Sequence, residues 1–320
     1  MPVSSAKNSN NPDSSLERVY KPNFFIIGAA KSGTSSLWGY LNEHPEIFMS
    51  IPKEPGYFAP EWPGPKEEGR YLKIFQNAQS AHKRIGEAST MYLSCPGTAE
   101  QILTFCQKNQ IKDPKLVVML RNPADRAYSL YNWQVQEGYE YAGSFEKAIS
   151  LEENRRSLKF PNPWLTGGYK YNYMYFHSGL YADQIQDYVE KFGKENLHVL
   201  IFEEFIQDAP THLKEIYDFL GLELKDFLPE IKVYNPSYEV YSPLLQFGLR
   251  WVNRATIEKR PIRWFIKSKE QRDTLINLGH KKNKPPKLDP AKRKTLLNKY
   301  MSDIQKLEQH LDRDLSIWYR

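Results

Sequence analysis

The sequence predicts an α/β fold in which a central, mostly parallel sheet is flanked by helices on both faces. Three short runs are apolar without alternation: "FFIIG" at 24–28, "KLVVML" at 115–120 and "LHVLIF" at 197–202. Strands that are covered on both faces have this composition, because neither face meets water. Helical patterns separate the runs, and this alternation is typical of parallel sheets. A chain of 320 residues is long enough to bury a substantial core.

The first half of the chain begins with the strand at 24–28. A helix is predicted to start at Thr34 and to end near Glu43, because His44 precedes a proline. Residues 50–69 are rich in proline and glycine and are predicted to be loop. The elements that follow are a short strand in "RIGEASTMYL" (84–93), a helix at Gly97–Lys108, the strand at 115–120 and a helix entered at Pro123.

Helices and strands also alternate in the second half of the chain. An apolar stripe at helical spacing predicts a helix that contains Tyr181, Ile185, Tyr188, Val189 and Phe192. After the strand at 197–202, an amphipathic helix is predicted to end at Gly221, since glycine is common just beyond helix C-termini. The last helix is predicted to begin near Asp289–Pro290, because aspartate is a good N-cap and proline a good first helical residue.

Bulk properties narrow the class of protein. The net charge of +6 favours anionic ligands weakly. Cys95 and Cys106 are the only cysteines, so neither a disulfide scaffold nor a metal-binding cysteine pattern is predicted. Residues 1–21 are polar and are predicted to be a disordered tail, which leaves 22–320 as a single domain. Without a signal-peptide core or an apolar run near the roughly 18–20 residues that span a bilayer, we expect a cytoplasmic protein. We expect no nucleic-acid partner.

The loop after the first strand, "GAAKSGTSS" (28–36), has the features of an anion-binding loop. Parallel sheets bind ligands at the carboxyl ends of their strands. Backbone N–H groups in a glycine-rich turn and at a helix N-terminus attract phosphate-like groups. Lys31 adds a full positive charge, and Thr34, Ser35 and Ser36 add hydroxyl donors. The alternative interpretation is a tight strand–helix turn with an exposed lysine.

The order of residues in this loop differs from that of nucleoside-triphosphate-binding loops. In those loops the lysine follows the last glycine, whereas Lys31 precedes Gly33. The strand at 115–120 is followed by Arg121 rather than by an acidic residue that would hold Mg²⁺. The loop is therefore predicted to bind phosphate with its own cation and without metal.

A second anion-binding element is predicted in "LRNPADRAYS" (120–129). Arg121 lies at the same edge of the sheet as the loop, and a guanidinium suits bidentate phosphate contact. Ser129 lies about two turns into the following helix and supplies a hydroxyl. Arg126 is interpreted either as a third contact or as a surface ion pair. A ligand with two separated phosphate-type groups would bridge the two strands.

The sequence resembles sulfotransferases that use 3′-phosphoadenosine 5′-phosphosulfate (PAPS). "FFIIGAAKSGTSSLWGYLNEHPEI" resembles their 5′-phosphosulfate loop and "KLVVMLRNPADRAYSLY" their 3′-phosphate motif. The resemblance extends over nearly all of 22–320, in the style of bacterial enzymes and of the heparan-sulfate branch. It implies a P-loop-like three-layer α/β fold. It also implies sulfuryl transfer to a hydroxyl or amine, release of adenosine 3′,5′-bisphosphate and no requirement for metal.

The resemblance also implies roles for individual residues. Lys31 is expected to contact the phosphosulfate and to stabilise the oxygen that leaves. The residues expected to hold the donor are Ser32, Gly33, Thr34, Ser35 and Ser36 at the 5′-phosphate, Arg121 and Ser129 at the 3′-phosphate, and Lys281 and Lys282 in a loop over the 3′-phosphate.

Glu54 in "PKEPGYF" is the expected catalytic base, because the heparan-sulfate branch carries a glutamate just before an aromatic pair. Lys53 is a candidate for positioning the sulfate. His44 is a rival base, which we interpret as structural. In "GEAST", Glu87 is a candidate for orienting the site and Ser89 for lining it.

The acceptor is left open as a small molecule, a lipid or a carbohydrate. The aromatic residues of "NPWLTGGYKYNYMYFHSG" (162–179) suit sugar faces or flat apolar acceptors, and the alternative interpretation is that they belong to the core. The basic, aromatic segment 241–288 is predicted to cover the active-site cleft, and within it 241–267 is a candidate for contact with a membrane surface. Two other functions stay open: a P-loop nucleotide kinase or NTPase, and a non-catalytic protein that binds anions or membranes.

Overall fold

The computed structural model describes residues 19–60, 62, 64–157, 169–231, 239–242, 245, 248, 274, 280–281 and 285–319. Residues 1–18 of the predicted tail, most of the segment 241–288, and Lys282 lie outside the described residues.

The centre of the fold is a five-stranded sheet with the strand order β2-β3-β1-β4-β5, in which every pair is parallel. Its strands are β1 (Phe24–Gly28), β2 (Ile47–Met49), β3 (Arg84–Ala88), β4 (Lys115–Leu120) and β5 (Leu197–Ile201). In the central strand, Phe24 is paired with Gly86 of β3 on one side and with Lys115 of β4 on the other. The predicted parallel sheet is confirmed. A separate antiparallel pair joins β6 (Glu239–Val240) to β7 (His280–Lys281).

Helices occupy the segments between the strands and follow the last of them. Among the described residues they are α1 (Thr34–Asn42), α2 (Glu68–Leu72), α3 (Thr98–Lys108), α4 (Pro123–Gln136), α5 (Phe145–Ser150), α6 (Glu152–Ser157), α7 (Tyr181–Phe192), α8 (Phe202–Phe205), α9 (Ala209–Phe219) and α10 (Pro290–Leu311). The predicted starts of α4 and α10 are confirmed. Asn122 caps α4, and Asp289 caps α10 by accepting from two backbone N–H groups.

The core lies on both faces of the sheet, which explains why its strands are apolar throughout. Leu116 and Val118 of β4 pack on one face with residues of α3, α4, α7 and α10. Val117 and Met119, which alternate with them, pack on the other face with residues of α1 and α9. Successive side chains of a strand point to opposite faces, so each strand supplies both layers. The result is a helix–sheet–helix sandwich.

Two further observations concern the described residues. Cys95 and Cys106 are buried thiols that are not joined in a disulfide. None of the helices in the described ranges is both long enough and apolar enough to cross a membrane.

Candidate active site at the carboxyl edge of the sheet

The loop after β1 and the turn after β4 meet at one edge of the sheet, because the two strands are adjacent and parallel. Gly33 closes the loop with a φ of 87°. A Cβ atom at this position would lie 2.9 Å from the ring of Phe202, so both the backbone angle and the space require glycine. The loop is therefore held close to α8.

The N-terminus of α1 opens toward the same space. Gly33 is the N-cap of α1 and provides no side chain to accept from the first N–H groups of the helix. Helix N-termini leave such N–H groups unsatisfied and carry a partial positive charge. Thr34, Ser35 and Ser36 line the cavity beside them. This arrangement fits an anionic group.

A cavity of about 670 Å³ lies at this edge, and most of the predicted site residues line it. The predicted residues on its wall are Lys31, Gly33, Thr34, Ser35, Ser36, Lys53, Glu54, Arg121 and Ser129. Ser32 is not on the wall. Its side chain is fully buried, and its Oγ has no hydrogen-bond partner among the described residues.

Lys31 carries an ammonium that is poorly solvated. Burial lowers its pKa from 10.5 to about 8, and the positive charge of Arg121 acts in the same direction, against Glu137 and Glu54. The Nζ atom lies 5.8 Å from the centre of the Trp133 ring. Because burial disfavours the charged form of Lys31, an incoming anion would stabilise it.

Glu54 lies in the loop between β2 and α2. Its Oε1 accepts hydrogen bonds from Lys53 Nζ at 2.9 Å and from Thr90 Oγ1 at 3.1 Å. Its backbone N–H donates to the carbonyl oxygen of Ala88 at 2.9 Å, which ties the loop to the end of β3. A third of the carboxylate side chain is exposed to the cavity. The group can therefore meet an acceptor while its orientation is fixed.

Lys31 and Glu54 share an uncommon backbone conformation. Their φ angles are 67° and 60°, and only two other non-glycine residues in the described ranges, Gln110 and Asp312, have positive φ. Left-handed backbone is unfavourable for such residues and is concentrated at functional sites. Both residues predicted to be catalytic are thus held in strained positions.

Arg121 is fixed by three contacts. Its Nη1 donates to the carbonyl oxygen of Lys31 at 3.0 Å, its guanidinium lies 5.0 Å from the Phe202 ring centre, and its own carbonyl accepts from Tyr181 OH at 3.0 Å. The arginine is therefore preorganised on the cavity wall, with part of its donor set still free to bind an anion.

The turn that carries Arg121 is hydrogen-bonded to the segment that contains Trp318, through Asn122 and Glu203. Glu203 accepts from the backbone N–H of Asn122 at 3.0 Å and from Trp318 Nε1 at 2.9 Å. The side chain of Asn122 in turn donates to the carbonyl oxygen of Trp318 at 2.7 Å. Trp318 is fully buried. These bonds form a closed triangle directly behind Arg121.

Two other sequence candidates are absent from the wall of this cavity. The ring of His44 is buried, with Nε2 at 3.0 Å from the carbonyl oxygen of Leu224 and Nδ1 accepting from the N–H of Glu46 at 3.1 Å. The structural interpretation of His44 is thus supported. Arg126 is not a surface ion pair, since it is fully buried and donates to the carbonyl oxygen of Tyr175 and to Ser178 Oγ. Its expected role as a third phosphate contact stays a prediction.

The predicted cover of the 3′-phosphate is described only in part. Lys281 lies in β7, which pairs with β6, and β6 lies against α4, the helix that carries Ser129. Its predicted contact with the donor stays a prediction, as does that of Lys282. Trp164 of the aromatic loop lies outside the described residues, whereas Asn172 lines the cavity.

Several wall residues were not singled out in the sequence. Among them are Trp62, Thr90, Trp133, Tyr139 and Phe202. Phe202 directly follows β5, so the rule that ligands bind at the carboxyl ends of parallel strands would have identified it. Trp62, Thr90 and Tyr139 come from loops and Trp133 from α4, where no local pattern marks them.

The described residues contain no group of three or more histidine, cysteine, aspartate or glutamate side chains suited to hold a metal ion. The charges on the cavity wall are instead those of Lys31, Lys53, Glu54 and Arg121.

Comparison with known proteins agrees with this architecture. Residues 21–243 match the family described as "Sulfotransferase domain". A crystal structure of a sulfotransferase from Alicyclobacillus acidocaldarius is 29% identical, covers 94% of this chain and 100% of its own, and superposes with a TM-score of 0.69.

Two curated relatives are more distant. The membrane-associated sulfotransferase kil1 of Dictyostelium discoideum is 24% identical over 64% of this chain and 57% of its own length. The bifunctional heparan sulfate N-deacetylase/N-sulfotransferase 1 of Caenorhabditis elegans is 24% identical over 75% of this chain. The chain spans only 26% of the length of that second protein.

The family match covers well over half of the chain, so this protein belongs to the sulfotransferase domain family. The resemblance inferred from the two phosphate motifs is confirmed, as is the P-loop-like α/β fold that it implied.

Proposed function

We propose that this protein transfers a sulfuryl group from PAPS to a hydroxyl or amine of an acceptor and releases adenosine 3′,5′-bisphosphate. The observation that carries the proposal is the pairing of Lys31 and Arg121 on one cavity, joined by a hydrogen bond of 3.0 Å. Family membership supports the same chemistry. Two cations at the ends of adjacent strands suit a nucleotide with phosphates at both its 3′ and 5′ positions.

The residues of the cavity fit this donor. The uncapped N-terminus of α1 and the hydroxyl groups of Thr34 and Ser35 would hold the 5′-phosphate. Arg121 and Ser129 would hold the 3′-phosphate. When bound, PAPS supplies the sulfuryl group, whose bond to the bridging oxygen breaks as the bond to the acceptor oxygen or nitrogen forms.

Lys31 and Glu54 have complementary roles in the proposed reaction. Lys31 would stabilise the negative charge that grows on the bridging oxygen, and a preorganised donor of this kind contributes on the order of 3 kcal/mol. Glu54 would accept the proton of the acceptor group. Lys53 and Thr90, which both bond to Glu54 Oε1, would keep that carboxylate directed into the cavity.

Ligand binding tests the donor first. Adenosine 3′,5′-bisphosphate should raise the melting temperature of the wild-type protein, whereas Mg-ATP should not. Incubation with PAPS that carries labelled sulfate and a panel of acceptors should then yield a labelled product. Protection by Mg-ATP alone would favour a nucleotide kinase or NTPase and would contradict the proposal.

The kinase alternative is not favoured. Nucleoside-triphosphate loops place the lysine after the last glycine and use an acidic residue for Mg²⁺. Here Lys31 precedes Gly33, and β4 is followed by Arg121.

We propose a carbohydrate as the acceptor class. Trp62, Trp133 and Tyr139 line the cavity, and the ring of Trp62 lies directly against Gly56, two residues beyond Glu54. Aromatic faces of this kind suit the apolar face of a sugar ring. The names of two curated relatives, a heparan sulfate N-sulfotransferase and a carbohydrate sulfotransferase, support the same class.

Replacing Trp62 by alanine tests the acceptor proposal. We expect KM for a carbohydrate acceptor to rise about tenfold, with the affinity for adenosine 3′,5′-bisphosphate unchanged. Sulfation of lipid or phenolic acceptors only, within the same panel, would contradict a carbohydrate acceptor but leave the sulfuryl transfer intact. The cytoplasmic location expected from the sequence stays a proposal, to be tested by fractionation of cells that express the protein.

A further inference from the structure

Glu87, near the end of β3, is a buried carboxylate without a cationic partner. Its side chain is fully buried, and no ion pair joins it to a lysine, arginine or histidine within the described part of the chain. Three hydroxyl groups take the place of a cation. Tyr71 OH and Tyr92 OH donate to Oε1 at 2.6 and 2.9 Å, and Ser89 Oγ donates to Oε2 at 2.9 Å.

Two of these hydroxyl groups also bind the loop that carries Glu54. Ser89 Oγ accepts from the N–H of Gly56 at 3.0 Å, and the hydroxyl oxygen of Tyr92 accepts from the N–H of Phe58 at 3.3 Å. A hydroxyl group has one proton to donate. Because both protons are directed at Glu87, the two oxygen atoms are left to accept from the loop.

In its ionised form, Glu87 therefore sets the direction of the hydrogen bonds in this network. An ionised carboxylate accepts hydrogen bonds and donates none. If the side chain at position 87 also donated a hydrogen bond, the hydroxyl of Ser89 or Tyr92 would have to accept it. The proton of that hydroxyl would then point toward the loop and face the N–H of Gly56 or Phe58, which needs an acceptor.

We infer that Glu87 is a positioning residue for the proposed sulfuryl transfer, acting through Ser89 and Tyr92 to hold the Glu54 loop in its reactive conformation. Glu87, Ser89 and Tyr92 are absent from the cavity wall, so none of them contacts the acceptor there. Glu54 has a φ of 60°, a conformation that persists only where the surrounding structure fixes it. The network supplies that fixation two and four residues beyond Glu54.

The burial of Glu87 is consistent with a role beyond folding. Desolvation raises its pKa to about 7, even though its three hydroxyl partners oppose the shift. Glutamine has nearly the same shape as this side chain but donates at one end, which the ionised form of Glu87 does not.

Replacing Glu87 by glutamine tests the inference, because glutamine keeps the size and adds a donor. The inference rests on the proposed function. We therefore expect kcat for sulfuryl transfer to fall about 10- to 100-fold, while the dissociation constant of adenosine 3′,5′-bisphosphate changes less than twofold. An unchanged kcat in Glu87→Gln would overturn the inference.

Tyr71 and Ser89 provide a matched pair of variants. Tyr71 OH donates to Glu87, and no hydrogen bond joins that hydroxyl to a backbone N–H of the described 54–58 loop. Tyr71→Phe removes one donor to the carboxylate and keeps the ring that stacks on Tyr57, so kcat should fall less than threefold. Ser89→Ala removes the acceptor for Gly56, so kcat should fall as in Glu87→Gln. Equal losses of kcat in the two variants would contradict the inference.

Hydrogen exchange separates this inference from the proposed function. If the wild-type protein transfers no sulfuryl group to any acceptor, the proposed function fails, but the exchange of the Gly56 and Phe58 amides can still be measured. Faster exchange at these amides in Glu87→Gln than in Tyr71→Phe would support the positioning role. Equal exchange in the two variants would overturn it.

Discussion

Arg121 donates a hydrogen bond from Nη1 to the carbonyl oxygen of Lys31, with 3.0 Å between the two atoms. This bond joins the turn after β4 to the loop after β1, so Lys31 and Arg121 are positioned relative to each other before any ligand binds. Arg121 also lowers the pKa of Lys31, although burial is the larger cause. The positive charges of Lys31 and Arg121 repel each other, and a bound anion would relieve this repulsion.

Replacing Arg121 by lysine should weaken the binding of adenosine 3′,5′-bisphosphate at least tenfold. Lysine keeps the charge but lacks the fork that bonds to the Lys31 carbonyl and to a phosphate together. Isothermal titration calorimetry measures the change. Arg84→Lys is the control, because Arg84 begins β3 and pairs with Asp113 at the other end of the sheet. Equal affinities in Arg121→Lys and the wild type would contradict the assignment of Arg121.

The affinity for adenosine 3′,5′-bisphosphate should fall as the pH rises above about 8. Binding favours the protonated Lys31, whose pKa in the free protein is lowered to about 8 by burial and by Arg121. Linkage then gives a loss of up to roughly tenfold per pH unit until the pKa of the bound form is reached. Titrations between pH 7 and 9.5 test this expectation. In Lys31→Arg the affinity should stay nearly constant over that range, and a flat profile in the wild type would argue against the role of Lys31.

Lys31→Met should stabilise the protein at pH 7 while lowering kcat for sulfuryl transfer about 10²- to 10³-fold. The pKa of Lys31 is lower in the folded state than its ordinary value of 10.5, so the unfolded chain binds more protons between about pH 8 and 10.5. The charged lysine therefore costs stability below pH 8, by about 2 kcal/mol once screening by water in the cavity is allowed for. The difference in unfolding free energy should shrink as the pH approaches 10.5. Urea denaturation at pH 7 and pH 10 measures it, and an equal difference at both would refute the assignment.

Glu54→Gln should lower kcat about 10²- to 10⁴-fold, the usual contribution of general acid–base catalysis. The affinity for adenosine 3′,5′-bisphosphate should not change, because the amide keeps an oxygen that accepts from Lys53 and Thr90. Single-turnover kinetics with saturating PAPS separates the chemical step from binding. Full activity in this variant would exclude Glu54 as the base.

His44→Ala should lower the free energy of unfolding by about 2–4 kcal/mol and leave kcat within twofold of the wild type. The buried ring satisfies the carbonyl of Leu224 and the N–H of Glu46, and its loss leaves both without that partner. Denaturation and steady-state kinetics below the transition measure the two effects. A large loss of kcat with unchanged stability would make His44 the base instead of Glu54.

The sequence was sufficient to predict the parts of the fold that follow local patterns. The strands β1, β4 and β5 were predicted because both faces of each are buried, which makes the runs wholly apolar. β2 was not predicted, since its three residues at the sheet edge are too few to show a period. The edge on which Lys31 and Arg121 meet follows from the parallel order of the strands.

Other features depend on contacts between distant parts of the chain. Arg126 lies on α4, and the pattern of neighbouring residues does not indicate whether its side chain is exposed or buried. Its burial depends on the carbonyl of Tyr175, 49 residues away. The left-handed backbone of Lys31 and Glu54 has no sequence signal, because glycine is the residue that usually marks it. The same holds for the network of Glu87, whose donors come from α2 and from the turn after β3.

The triangle formed by Glu203, Asn122 and Trp318 has a practical consequence for anyone who engineers this protein. Asn122 and Trp318 are 196 positions apart in the sequence, yet they are hydrogen-bonded directly behind the arginine proposed to bind the 3′-phosphate. Proteolytic trimming past Trp318 would loosen nucleotide recognition without removing a single residue of the cavity wall. Deletion series should therefore stop short of the buried indole.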